Sequence, residues 1–274
     1  MKVRRDSLKD KVIIVTGASS GIGLASARVF GSLGAKVVMA ARSYEKLLEY
    51  APGVATGENV LCVKCDVTVE DDCRRLVDET VAKFGRVDVL VNNAGLSMRA
   101  MFKDLELDVL KRLVDVNFWG TVYCTKYCLP YLLESKGTVV GIISIAGYSA
   151  LPARTGYSAA KYAVRGFLDT LRMEHMKDGL NVMVYAPNYV SSNVRNAALT
   201  ADGTPQGMTP LDENGLMSAE ECAMRLAKAI ARRRKRPILT LLGKVTAYGR
   251  MLIPDIADRI TYKYVSREPG SPFK

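Results

Sequence analysis

Between residues 11 and 187 the chain alternates without interruption between short β-rich runs and segments of helical period. "KVIIVTG" reads as a strand and Gly21 to Leu33 as a helix, and "KVVMAAR" is followed by a helix around Tyr44 to Tyr50. "VLCVKCDV" leads into the helix Glu70 to Phe84, and "VDVLVNNAG" into an amphipathic helix from Leu107. "GTVVGIIS" precedes a helix carrying Tyr157, and "LNVMVYAP" closes the series. Strands that alternate with helices pair in parallel, because each helix carries the chain back across a sheet face. The strand runs are almost continuously apolar, as strands covered on both faces must be. The expected fold is α/β, a doubly wound parallel sheet with helices on both faces, in a single domain over residues 1–274.

After Pro187 the pattern changes. Residues 188–217 are polar and rich in Gly, Pro and Asn, which reads as a substrate loop or lid. A helix follows from Ser218, with Ser218 and Glu221 spaced as a capping box. Residues 237–274 form a C-terminal extension. No apolar run reaches the length of a membrane span, and "MKVRRDSLKDK" lacks a signal-peptide core, so the cytoplasm is the expected compartment.

The six cysteines fit that compartment. Cys62 and Cys65 form a C-x-x-C, but on a strand positions three apart face opposite sides. Cys124 and Cys128 share a helix face as small packed groups. His175 is the only histidine, and no metal role is expected.

"TGASSGIG", Thr16 to Gly23, lies between the first strand and the first helix. Glycines there let the backbone turn tightly and approach a pyrophosphate, whose charge then sits at a helix N-terminus. Further on, "YSAAK" places Tyr157 and Lys161 at i and i+4, on one helix face. An ammonium beside a phenol favours the phenolate and would bring its pKa down from about 10. The spacing alone also suits a surface pair.

The motifs taken together resemble the short-chain dehydrogenase/reductase family over residues 11 to about 240. "TGASSGIG", Asp66 after the third strand, "NNAG" at 92–95, Asn117, Ser144 and "YSAAK" occur in the family's order. The resemblance implies a Rossmann-like sheet and assigns roles. Gly17, Gly21 and Gly23 would form the cradle, with Ser19, Ser20 and Ile22 at the cofactor. Asp66 would bond the adenine amine with Val67 beside it, and Asn92 would tie neighbouring strands together. Asn93, Ala94 and Gly95 would line the cofactor. Pro187, Val190 and Ser192 belong to a segment resembling P-G-x-V-x-T, where Asn188 replaces the glycine. Tyr157 would be the general acid/base, and Lys161 would lower its pKa and hold the nicotinamide ribose. Ser144 would bond the substrate carbonyl, and Asn117 would hold a water linking Lys161 to solvent. That set implies interconversion of a ketone and a secondary alcohol.

An NAD enzyme of this kind carries an acid after the second strand, whereas an arginine there accommodates a 2′-phosphate. Here the strand ends at Arg42 and Ser43 with no acid, so NADP(H) is the expected cofactor. Substrate-side positions are expected at Leu96, Ser97 and Met98, at Tyr148, Leu151 and Pro152, and in the loop from Tyr189 to Met217. These are mostly apolar, which favours a bulky lipophilic ketone of steroid, lipid or sphingoid type. Two alternatives stay open: a 3-oxoacyl-carrier-protein reductase, and a non-catalytic NADP-binding scaffold or sensor. Relatives pair through the helices near Leu107 and Tyr157, so a homodimer or homotetramer is expected.

The net charge of +11 is concentrated towards the C-terminus, beginning with "RRRKRP" at 232–237. No nucleic-acid-binding motif accompanies it, and no nucleic-acid partner is expected. The following leucine- and isoleucine-rich turns, interrupted by Lys244, Arg250 and Pro254, admit two readings. They pack on the domain or a second subunit, or they lie on a membrane surface.

Overall fold

The computed structural model describes residues 7–191, 194–209, 215–268, 270–271 and 273. Its six strands are β1 (Val12–Thr16), β2 (Lys36–Ala41), β3 (Val60–Lys64), β4 (Val89–Asn92), β5 (Thr138–Ile142) and β6 (Asn181–Tyr185). All pair in parallel, in the order β3-β2-β1-β4-β5-β6. This is the doubly wound Rossmann arrangement, and it puts a topological switch point between β1 and β4, where the carboxyl ends of the strands leave a crevice.

Period-2 alternation divides the strand side chains between two cores. Ile13, Val15, Val37 and Met39 face α1 (Gly21–Ser32) and α7 (Ala219–Ala231). Val12, Ile14, Val38 and Ala40 face the opposite layer, α3 (Glu70–Phe84), α5 (Gly120–Glu134) and α6 (Thr155–Glu174). The short α2 (Tyr44–Tyr50) and α4 (Leu107–Val114) complete the crossovers. Cys62 and Cys65 do fall in different cores. Cys124 and Cys128 are fully buried.

The helix expected from Leu107 forms as α4, which passes through a π turn at Asp115–Trp119 before α5 begins. Two local expectations need correction. Only half of the capping box forms. Ser218 Oγ accepts from Glu221 N at 3.0 Å, but the Glu221 carboxylate turns to Arg225 at 2.6 Å instead of reaching back. Arg225 lies one turn on, and an ion pair there competes directly with the reciprocal cap. Asn92, for its part, does not join strands. It donates to Thr125 Oγ1 at 3.0 Å and so fastens β4 to α5. The tie between strands comes from Asn93, whose Nδ2 donates to Thr16 O at 2.9 Å. Successive strand residues point to opposite faces, so a shift of one position exchanges the roles.

Beyond β6 the chain crosses residues 188–217 with isolated bridges Val190↔Met217 and Met98↔Leu199. After α7, Lys235 and Pro237 run beside β6, accepting from Val184 N and Ala186 N at 2.9 and 3.1 Å. The C-terminal extension then forms two helices, α8 (Leu241–Leu252) and α9 (Pro254–Ser266). Among the described residues no helix is long and apolar enough to cross a membrane.

Candidate active site

The crevice at the switch point holds a cavity of about 390 Å³. Its floor is the glycine turn. Gly17 has φ +65°, and a Cβ there would lie 2.9 Å from Ala94 Cα, so only glycine fits. Gly23 does not line the cavity. It lies beneath the turn, where a Cβ would meet Gly17 O at 2.2 Å, and its absent side chain lets α1 close on the loop. Thr16 secures the arrangement, its Oγ1 accepting from Asn93 N and Ala94 N, both at 3.0 Å. No side chain caps α1: Ser20 occupies the N-cap without a cap bond. The first-turn N–H groups are therefore available to an anion.

Along one arm of the cavity lie Ser19, Ser20, Gly21, Ile22, Arg42, Ser43, Asp66 and Val67. The Asp66 carboxylate is oriented by Thr68, which donates from its backbone N at 3.0 Å and its hydroxyl at 2.8 Å. Asn93, Ala94 and Gly95 line the middle, and Pro187 and Val190 the far side. Ser192 lies outside the described residues.

Asn117, Ser144, Tyr157 and Lys161 converge on the same cavity. Asn117 sits in the π turn, which rotates its side chain inward. Its Nδ2 donates to Leu96 O at 3.0 Å and Leu113 O at 2.9 Å, while its buried Oδ1 has no protein partner. That oxygen and Lys161 Nζ flank Gly95, where a Cβ would come within 2.7 and 3.4 Å of them. Lys161 Nζ donates to Ile142 O at 2.9 Å. Ser144, just past β5, has φ +86° and ψ 162°, a region that residues with a side chain rarely enter. Its backbone is gripped on both sides, by Ile143 N to Tyr185 O at 2.9 Å and Ile145 N to Pro187 O at 3.1 Å.

The electrostatics depart from the expected pairing. Burial pushes the Lys161 ammonium down to about 8. Burial also pushes the Tyr157 phenol up, opposed by a hydrogen bond with Ser144 and by the charge of Arg154. The opposing influences come from those two residues and not from Lys161, whose Nζ stands 5.7 Å from the Tyr157 ring centroid.

On the substrate side, Leu96, Ser97 and Leu151 line the cavity as expected. Met98 does not: it is fully buried beside Leu113 and Leu199. Tyr148 points away and stacks under Arg165, with 4.1 Å from the guanidinium carbon to the ring centroid. Pro152 is not among the lining residues either. From the long loop Tyr189, Val194, Arg195 and Ala197 reach the cavity. Sequence reasoning missed Arg154, a lining residue within 4.0 Å of Glu268. Glu268 is buried and also binds Arg99 at 3.2 Å. Nothing local in the sequence links positions so far apart.

At Asn188 the backbone does not require the glycine that the resemblance expects. Among the described residues Asn188 is not one of those with positive φ, and its Nδ2 donates to Thr240 Oγ1 at 3.2 Å. His175 ends α6 at the surface, 2.6 Å from Asp178. Among the described residues no group of three or more His, Cys, Asp or Glu is placed to hold a metal.

The short chain dehydrogenase family pattern matches residues 11–202 of this chain. Dehydrogenase/reductase SDR family member 7B of Rattus norvegicus is 35% identical over 275 residues, covering 96% of this chain and 84% of its own length. 11-beta-hydroxysteroid dehydrogenase 1A of Arabidopsis thaliana is 34% identical over 262 residues, covering 92% and 75%. Among solved structures, a short-chain dehydrogenase/reductase from Caenorhabditis elegans with cofactor superposes with a TM-score of 0.73 at 28% identity, over 82% of this chain and 90% of that one. One from Burkholderia phymatum in complex with NAD shares the fold, with a TM-score of 0.81 at 23% identity over 91% and 96%. The glycine turn, the switch-point cavity and these matches together establish that the chain belongs to the short-chain dehydrogenase/reductase family, oxidoreductases acting on CH–OH and C=O groups.

Proposed function

We propose that the protein is an NADP(H)-dependent oxidoreductase that interconverts a ketone and a secondary alcohol on a bulky lipophilic substrate. The observation that carries this reading is the convergence of Asn117, Ser144, Tyr157 and Lys161 on a cavity whose other arm ends at Arg42. The residues present fit a dinucleotide: a turn that only glycine permits, an uncapped helix N-terminus, and an arginine where a 2′-phosphate would lie. Gly17, Gly21 and the start of α1 would hold the pyrophosphate, Arg42 and Ser43 the 2′-phosphate, Asp66 and Val67 the adenine. Pro187, Val190 and Lys161 would hold the nicotinamide end. The nicotinamide, when bound, supplies or accepts the hydride.

The side chains manage the proton. In reduction, the Tyr157 hydroxyl gives its proton to the substrate oxygen while Ser144 Oγ donates a hydrogen bond to that oxygen. Burial favours the protonated phenol, the form this direction needs. Lys161 remains mainly cationic at neutral pH, a charge suited to holding the nicotinamide ribose and to relaying a proton. The unpartnered Asn117 Oδ1 is an acceptor for a water that returns a proton through Lys161.

The lipophilic assignment is supported by Leu96, Leu151, Val194 and Ala197 on the substrate side. Both arginines there are engaged by protein, Arg154 near Glu268 and Arg195 with Val190 O and Thr209. It is supported also by relatives one of which is named as a hydroxysteroid dehydrogenase. Against a 3-oxoacyl-carrier-protein reductase, the extension is a pair of helices and not a glycine-rich β segment. An intact proton-handling set opposes the silent scaffold. A homodimer or homotetramer through α4–α6 is supported by Leu107, Trp119 and Tyr162, large apolar groups exposed on those helices and the turn between them. Oxidation of NADPH against NADH over a panel of steroid, acyl and small polar ketones tests the reading. Turnover confined to small polar ketones, or absent throughout, refutes it.

A further inference from the structure

Helix α8 is built inside out. The face it packs against the domain carries Gly243 and Ala247, both buried, together with half-buried Arg250. A Cβ on Gly243 would meet Ile238 and Ile145 at 3.1 and 3.6 Å, so the helix lies directly on the turn after Ser144. At 100° per residue, Leu241, Val245, Tyr248 and Leu252 recur on the opposite side. That side is open: Leu241 is 77% and Leu252 80% exposed. A helix of a soluble domain ordinarily turns its large apolar residues inward. Helix α9 continues the surface with Ile253, Ile256 and Ile260, all exposed. Contiguous apolar area of this kind marks an interaction site.

The charges around this face select the partner. Lys244, Arg259 and Lys263 are exposed on its flanks. Of the two acids in the hairpin, Asp258 is occupied by Arg250 at 2.5 Å. Residues 232–267 hold ten basic and two acidic side chains, and so account for +8 of the chain's net +11. Part of the 232–236 cluster is committed elsewhere, Arg233 to Lys136 O and Arg236 to Asp169. The basic residues of the hairpin itself therefore carry the argument. A two-fold contact between copies would set this basic rim against itself. An anionic lipid surface would neutralise it and take up the apolar side chains.

We propose that the outer face of α8–α9, centred on Leu241, Val245, Leu252, Ile256 and Ile260, docks on an anionic membrane surface without crossing it. The hairpin is tied to the cavity at Asn188–Thr240 and at Tyr189, whose ring centroid lies 6.3 Å from that of Tyr264. Docking therefore holds the cavity at the bilayer surface. The proposal does not depend on the reaction assigned above, and its test needs no turnover.

The test is co-sedimentation of the full chain with phosphatidylcholine vesicles, with and without phosphatidylserine, at low and high salt. Two variants accompany the wild type: Leu241→Ser/Val245→Ser/Leu252→Ser, and Lys244→Gln/Arg259→Gln/Lys263→Gln. All six positions are exposed, so thermal melting should be unchanged in both. Wild type should pellet with phosphatidylserine vesicles at low salt and less at high salt. The basic variant should bind on the order of a hundredfold more weakly, from about fivefold per residue. The apolar variant should stay in the supernatant. Wild type remaining in the supernatant at low salt, equal pelleting with neutral vesicles, or pelleting unchanged in both variants would each overturn the proposal. So would a wild-type dimer that the apolar variant dissociates, because a second copy would then cover the face.

Discussion

Asn188 Nδ2 donates to Thr240 Oγ1 at 3.2 Å, and the same hydroxyl accepts from Gly243 N at 2.9 Å. One bond therefore joins the cavity-lining segment after β6 to the N-cap of α8. In the family pattern this position is glycine, which could make no such bond. Asn188→Gly should cost about 1 kcal/mol, and hydrogen exchange should quicken in residues 240–252 before it does in the sheet. Unchanged exchange there would separate the loop from the hairpin.

Ser144 combines a hydroxyl with a backbone conformation that favours glycine, and two substitutions pull these apart. Ser144→Ala keeps the strain and loses the hydroxyl, so turnover should fall by about 10²–10³. Ser144→Gly should lose as much turnover yet gain stability. Strain relief of roughly 1–3 kcal/mol outweighs a glycine penalty of about 0.5–1 kcal/mol. Paired thermal melts and turnover measurements check both halves.

Lys161, pushed down to about 8, gives the pH profile. In the reductive direction kcat/KM should be flat below that value and fall about tenfold per pH unit above it, as the ammonium is lost. Unfolding returns the group to its ordinary value of about 10.5, so its folded pKa is the lower one. Between about 8 and 10.5 the unfolded chain binds more protons, and this group makes the fold more stable as pH rises. The activity loss is thus distinguishable from denaturation. Lys161→Arg should abolish the alkaline limb at reduced overall activity, because a guanidinium does not titrate in this range.

Arg42 carries the proposed preference for NADP(H). A charge-assisted bond of about 1.5–3 kcal/mol corresponds to roughly 10- to 150-fold in affinity. Arg42→Asp should lose that much for NADPH and little for NADH, as read by fluorescence titration. Equal wild-type affinity for the two would remove the preference.

The fold was legible in the sequence because its signals are local. β-rich runs, helix periods and the glycine turn each lie within a few residues, and the observed strands and helices fall where they were expected. That Asn117, Ser144, Tyr157 and Lys161 belong to one site was legible through their motifs, and the structure brings them to one cavity, yet the π turn that aims Asn117 leaves no mark in "DVNFWG". The confusion of Asn92 with Asn93 arose because adjacent strand residues exchange faces with a one-residue shift. Met98 and Tyr148 lie within a few residues of the lining Ser97, Ser144 and Leu151, and only packing decides which side chains turn to the cavity. Arg154–Glu268 and Tyr189–Tyr264 join positions far apart in sequence. Their pairing depends on where the C-terminal hairpin folds back, and no periodicity encodes that.

The central claim is that Tyr157 passes the proton to a substrate carbonyl, and Tyr157→Phe tests it most directly. The change removes one hydroxyl and leaves the ring in place, so thermal stability and NADPH binding should stay close to wild type. With the best ketone of the panel, turnover should fall by at least about 10²-fold. Turnover within a few-fold of wild type, with cofactor binding intact, would contradict the assignment of Tyr157 and the reaction built on it.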